Sequence, residues 1–109
     1  MLIEDDEPRA KLERELDRVL GRLRGLSLER LQRPDASGAS PAARTNECSQ
    51  HLADLAAEAS GRDRRPLPVL APHGAADQLA VVAHDVLAEG DERTIADAAA
   101  TLAALRRAL

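Results

Sequence analysis

"PHGAADQLAVVAHDVLAE", residues 72–89, decides the fold. On a helical wheel Ala75, Ala76, Leu79, Val82, Ala83, Val86 and Leu87 fill one arc, the mark of a helix that buries one face. Asp77, Gln78, His84, Asp85 and Glu89 fill the opposite arc, with Val81 as the single apolar residue among them. Gly90 stops this helix and Asp91 restarts the chain as an N-cap. The following seam, Ile95, Ala98, Leu102, Leu105 and Leu109, runs at heptad-like spacing, and Arg106 and Arg107 sit at its negative end. So short a join predicts that residues 73–89 and 91–109 form an αα-hairpin.

Working back from this helix, Pro66, Pro68 and Pro72 forbid a helix across residues 61–72. That stretch reads as an extended crossing segment anchored by Leu67, Val69 and Leu70. Ahead of it, Ser40 and Pro41 supply an N-cap and a first helical position. They open a helix over 41–60 whose stripe is Thr45, Cys48, Leu52, Leu55, Ala56 and Ala59 and whose stop is Gly61. Residues 34–40, within "RPDASGASPAA" (33–43), lack periodicity and read as a linker.

The first helix is expected over 7–33, with Pro8 in its first turn. Its seam is Leu12, Leu16, Val19, Leu23 and Leu26, widened by Leu20. Gly21 and Gly25 lie on one side, where close approach of another helix is expected. One bent helix is the preferred reading; a break near Gly25, with Ser27 capping Leu28 to Arg33, is the alternative. Residues 1–6 are expected to be a disordered acidic tail. The fold class is therefore all-α: one domain, a small bundle of four main helices (7–33, 41–60, 73–89 and 91–109).

Composition narrows the chemistry. The 109 residues include no Phe, Tyr or Trp, so Leu, Ala and Val must build a thin core, and stacking on nucleic-acid bases is excluded. One lysine stands beside fourteen arginines, which suits a GC-rich bacterial genome. Net charge is −4: residues 9–33 carry eight basic groups against four acidic ones, and acidic stretches flank them. Cys48 has no partner for a disulfide, no apolar run reaches the length of a membrane span, and acidic residues rather than a basic leader follow Met1. A cytoplasmic location, with no membrane association, is expected.

Two polar stripes are the candidates for a site. Glu47, His51, Asp54 and Glu58 align on the second helix, and His73, Asp77 and His84 on the third. Facing one another, they would offer carboxylates and imidazoles to a divalent metal. Neither Glu-x-x-His on two helices nor His-x-x-x-His occurs, and water-facing stripes are the simpler account. Cys48 is expected to be buried and inert. No serine sits on a strand–turn–helix elbow, and no glycine-rich phosphate loop is present. Thr94 to Asp97 resembles the opening of a lac-repressor-type helix-turn-helix. That family needs a glycine-bearing turn where Ala98 to Leu105 reads as continuous helix, so the likeness ends there.

The functional expectation is a non-catalytic interaction module with no cofactor. It would form a homodimer, or dock on a partner helix, through Leu12, Leu16, Val19, Leu20, Leu23 and Leu26, a seam wider than one antiparallel neighbour covers. A metal-binding bundle using the seven stripe residues is the alternative. A nucleic-acid-linked regulator using Arg14, Arg18 and Arg22 with Arg62, Arg64 and Arg65 is a second alternative, opposed by the negative net charge. Local pairs, Lys11 with Glu15 and Arg14 with Asp17, would otherwise absorb part of that basic stripe.

Overall fold

Short polar side chains start three of the helices. Ser40 Oγ accepts from Ala43 N at 3.1 Å and Asp91 Oδ1 from Thr94 N at 2.8 Å, both where the sequence placed N-caps. In a computed structural model, which describes residues 7–109, these caps bound α3 (Pro41–Ala59) and α5 (Glu92–Ala108). The remaining helices are α1 (Glu7–Arg24), α2 (Leu28–Gln32) and α4 (Ala75–Glu89), the last preceded by a 3-10 turn at Pro72–Gly74. No strand occurs among the described residues. The acidic tail expected at 1–6 lies outside them.

The single bent first helix is corrected to two helices. Gly25 N donates to Gly21 O and Arg22 O, both at 3.2 Å, and ends α1. Ser27, in extended conformation, then accepts from Arg30 N at 3.2 Å and starts α2. The serine offers the backbone a local alternative to continuing the helix, and Gly25 removes side-chain support for doing so. Close approach at the two glycines is also corrected. A Cβ on Gly21 would meet nothing within 4 Å, and one on Gly25 would meet only the backbone of α1.

The ends of α3 and α4 need their glycines for different reasons. Gly61 has φ +75°, with its N–H bonded to Glu58 O and that of Arg62 to Ala57 O, the paired bonds of a Schellman stop. At Gly90 a Cβ would come within 2.7 Å of Val86 O and 3.1 Å of the Thr94 side chain, so the corner closes only around hydrogen. The stretch read as a linker is a folded turn. Asp35 N bonds to Ala39 O, Gly38 N bonds to Asp35 O, and Gly38 takes φ +91°.

The four long helices close into a ring. α1 packs most extensively on α5 and α3 on α4; α3–α5 and α1–α4 contacts complete the circuit. α4 and α5 are joined only by Gly90 and Asp91, as the sequence implied, yet they share little surface because they stand across the ring from each other. Leu12, Leu52, Leu79 and Leu102, one from each long helix, are 0 % exposed at the centre. Ala56, Ala83, Ala98 and Ala99 pack around them and let the axes come close.

This arrangement corrects the assignment of the α1 seam as an interface. Leu12, Leu16, Val19, Leu20 and Leu23 are buried in the chain's own core, and Leu26 packs half-buried against it. A ring helix faces two neighbours rather than one, so a wider apolar stripe is what the monomer itself requires.

Gly21 is an exposed helix interior position with open space, so Gly21→Ala is expected to raise the unfolding free energy by up to about 1 kcal/mol. Gly90→Ala is expected to lower it, by forcing apart the α4–α5 corner. Urea denaturation followed by circular dichroism reads both.

Candidate functional site

The two His/acid stripes do not meet. His73 lies in the 3-10 turn rather than on α4, so it leaves the face shared by Asp77 and His84. Three of the four acids on the stripes find separate partners. Asp77 pairs with Arg24 at 3.4 Å, Glu58 pairs with Arg64, and Asp54 accepts from Gln50 Nε2 at 3.0 Å. His51 Nε2 lies 3.4 Å from Asp97 Oδ1 on α5, not near His84. Among the described residues no group of three or more His, Cys, Asp or Glu side chains is placed to hold a metal ion. The physical reason is that α3 and α4 bury their small residues against each other, which turns both polar stripes outward.

The arginine stripe is likewise dispersed. Arg18 reaches Glu15 at 3.6 Å, Arg22 donates to Leu109 O at 2.9 Å, and Arg9 caps the end of α4 through Leu87 O at 2.7 Å. Arg62 pairs with Glu89 at 2.7 Å. Of the three arginines Arg62, Arg64 and Arg65, only Arg65 makes no ion pair among the described residues. The helix-turn-helix likeness ends as the sequence implied, because α5 runs without a break from Glu92 to Ala108.

Cys48 faces the core and is buried. Burial pushes its thiol up to about 12, so thiolate, the reactive form, is scarce at neutral pH.

One buried charge was missed from the sequence. Glu15 is buried at the α1–α5 contact, where Arg106 Nε donates to it at 2.8 Å. This replaces the expected Lys11–Glu15 pair. The Arg106 hydrogen bond holds the Glu15 carboxyl below its ordinary value against the opposing effect of burial, and the charges of Arg106, Arg18 and Lys11 add to the shift. The signal was present in outline: Glu15 adjoins Leu16 in the seam, and Arg106 follows Leu105. Spacing alone does not say which two helices will be neighbours.

What the fold builds on its surface is a strap. Residues 62–71, in neither helix nor strand, are held across α3 and α4 by two glutamines. Gln50 Nε2 donates to Arg65 O at 3.0 Å while its Oε1 accepts from Leu67 N at 2.8 Å. Gln78 Nε2 donates to Pro68 O at 3.0 Å. Beneath the strap lies a half-open cavity of about 530 Å³, lined by Ala53, Ala56, Leu67 and Val82 together with Arg62, Arg65, Asp63 and Asp85. The expected anchors divide: Leu67 is partly buried, Leu70 is 41 % exposed and Val69 is 84 % exposed.

No protein-family model, curated protein or solved structure matches the chain significantly. No described helix is long and apolar enough to cross a membrane.

Two outcomes test this description. Because the folded Glu15 carboxyl titrates below its ordinary value of 4.5, its contribution to stability is present above that pH and fades as pH falls through the folded value. The stability difference between the parent chain and Glu15→Gln should therefore shrink below pH 4.5, as read by denaturation at a series of pH values. Cys48 should react slowly with a thiol reagent in the folded chain and rapidly in denaturant; equal rates would refute its burial.

Proposed function

We propose that the chain is a non-catalytic, cytoplasmic helical interaction module that works by docking on another protein chain. The observation that carries this reading is the placement of its remaining large apolar side chains. Among the described residues the bundle buries or half-buries all but four of them, and those four, Leu28, Val69, Leu70 and Val81, are 41–84 % exposed. Val69 and Leu70 belong to the strap, and Val81 lies one turn along α4 from Gln78, which holds the strap at Pro68. With the α1 seam occupied by the core, the docking surface moves from α1 to this side of the molecule. Many of the charged side chains are taken up in separate ion pairs and caps, and among the described residues no group of three or more His, Cys, Asp or Glu side chains is placed to hold a metal ion.

A photo-crosslinking residue placed singly at Val69, Val81 or Arg14 tests the reading in cells producing the chain. Positions 69 and 81 should give discrete adducts and the α1 control at 14 none. An adduct of twice the 11.7 kDa chain mass marks a homodimer, and any other mass a different partner. Absence of a discrete adduct at both surface positions would sink the proposal.

A further inference from the structure

The strap "RPLPVLAP", residues 65–72, has properties that a loop merely linking α3 to α4 does not need. Three of its eight residues are prolines with φ fixed by the ring, and Arg65, Leu67 and Ala71 each precede a proline and are confined to the extended region. Ala71 has φ −57° and ψ 151°, close to polyproline II. Among the described residues, 63–70 make no backbone–backbone hydrogen bond, in keeping with that conformation.

Among residues 65–71 Leu67 alone is half-buried, packed against the core. Pro66, Pro68, Val69 and Ala71 are exposed, and Leu70, 41 % exposed, lies where a Cβ on Gly74 would touch it at 3.4 Å. Arg65, exposed and with no ion-pair partner among the described residues, stands at the start of the series. The bundle thus displays a stiff ridge of proline and aliphatic side chains with a free cation at one end.

We propose that residues 65–71 are a preformed polyproline-II epitope that docks in an aromatic-lined groove of a different protein, with an acidic residue of that groove taking Arg65. The inference rests on the interaction-module reading and names the partner's chemistry. Proline rings and Val69 pack on flat aromatic faces, and the guanidinium supplies the orienting charge. The occupant is not a second copy of this chain, which has no aromatic residue with which to line a groove. Because five of the seven residues are restricted before binding, little ordering entropy is lost on docking.

The same lack of aromatics gives a clean measurement. An isolated SH3 domain and an isolated WW domain, each with tryptophan in its polyproline groove, serve as probes titrated with the full chain. The chain contributes no tryptophan emission. Saturable change in the emission of either probe is expected, weakened about tenfold by Val69→Glu and also by Arg65→Glu. Val69 is almost fully exposed, so its variant should keep the parent's helical spectrum and melting temperature, which separates lost binding from lost folding. No emission change in either probe at millimolar chain, or equal binding by Val69→Glu, overturns the proposal. Discrete crosslinks at Val69 alongside failure of both probes would leave the interaction module standing and remove only this partner chemistry.

Discussion

A core without aromatic rings dictates most of what this bundle does. One buried Phe or Trp removes roughly 150–250 Å² from water in a single step. Here the same work is divided among leucines, valines and alanines drawn from every long helix. Dispersion and burial are short-ranged, so such a core gains enough only if the helices approach closely and each is covered on two sides. The ring α1–α5–α3–α4 meets that demand, with one fully buried leucine from each member. Even Thr45 and Ser49 are enclosed. Thr45 returns its hydroxyl to Pro41 O at 2.8 Å, while the Ser49 hydroxyl has no hydrogen-bond partner among the described residues.

From that constraint follows the fate of the polar residues. Faces that would have to converge on a metal or a phosphate are turned to water, because the inward faces are all needed for packing. The charges then settle into isolated pairs, mostly exposed and individually weak. Glu15–Arg106 is the exception: its carboxylate is buried where α1 meets α5, and it ties the pair with the most extensive contact in the fold. A half-exposed guanidinium reaching a buried carboxylate avoids part of the desolvation that a fully enclosed ion pair would suffer.

Function, in this reading, is what the packing leaves over. The bundle holds α3 and α4 side by side, and their glutamines Gln50 and Gln78 position residues 62–71 across them. A proline-rich stretch of this kind in a free peptide would be one population among many. Fastened at Arg65, Leu67 and Pro68, it becomes a fixed ridge, and its apolar side chains are presented rather than buried. Rigidity of the helical body and display on the strap are two sides of one design.

How much of this was legible in the residues depends on the range of the forces involved. The all-α class, the caps Ser40 and Asp91, the stop at Gly61 and the proline-bound crossing segment rest on local backbone chemistry, and each stands where periodicity and capping placed it. The break after Gly25 was also local, but two local preferences competed there, and continuity of the leucine seam outweighed Ser27 on paper. Neighbour choice was not local at all. Whether Leu16 faces a second protein or α5, whether Glu15 meets Lys11 or Arg106, and whether His51 approaches His84 or Asp97 are decided by which helices adjoin in the ring. An amphipathic stripe specifies that a face is buried but carries no label for its partner; only the closing of four helices around one core supplies it.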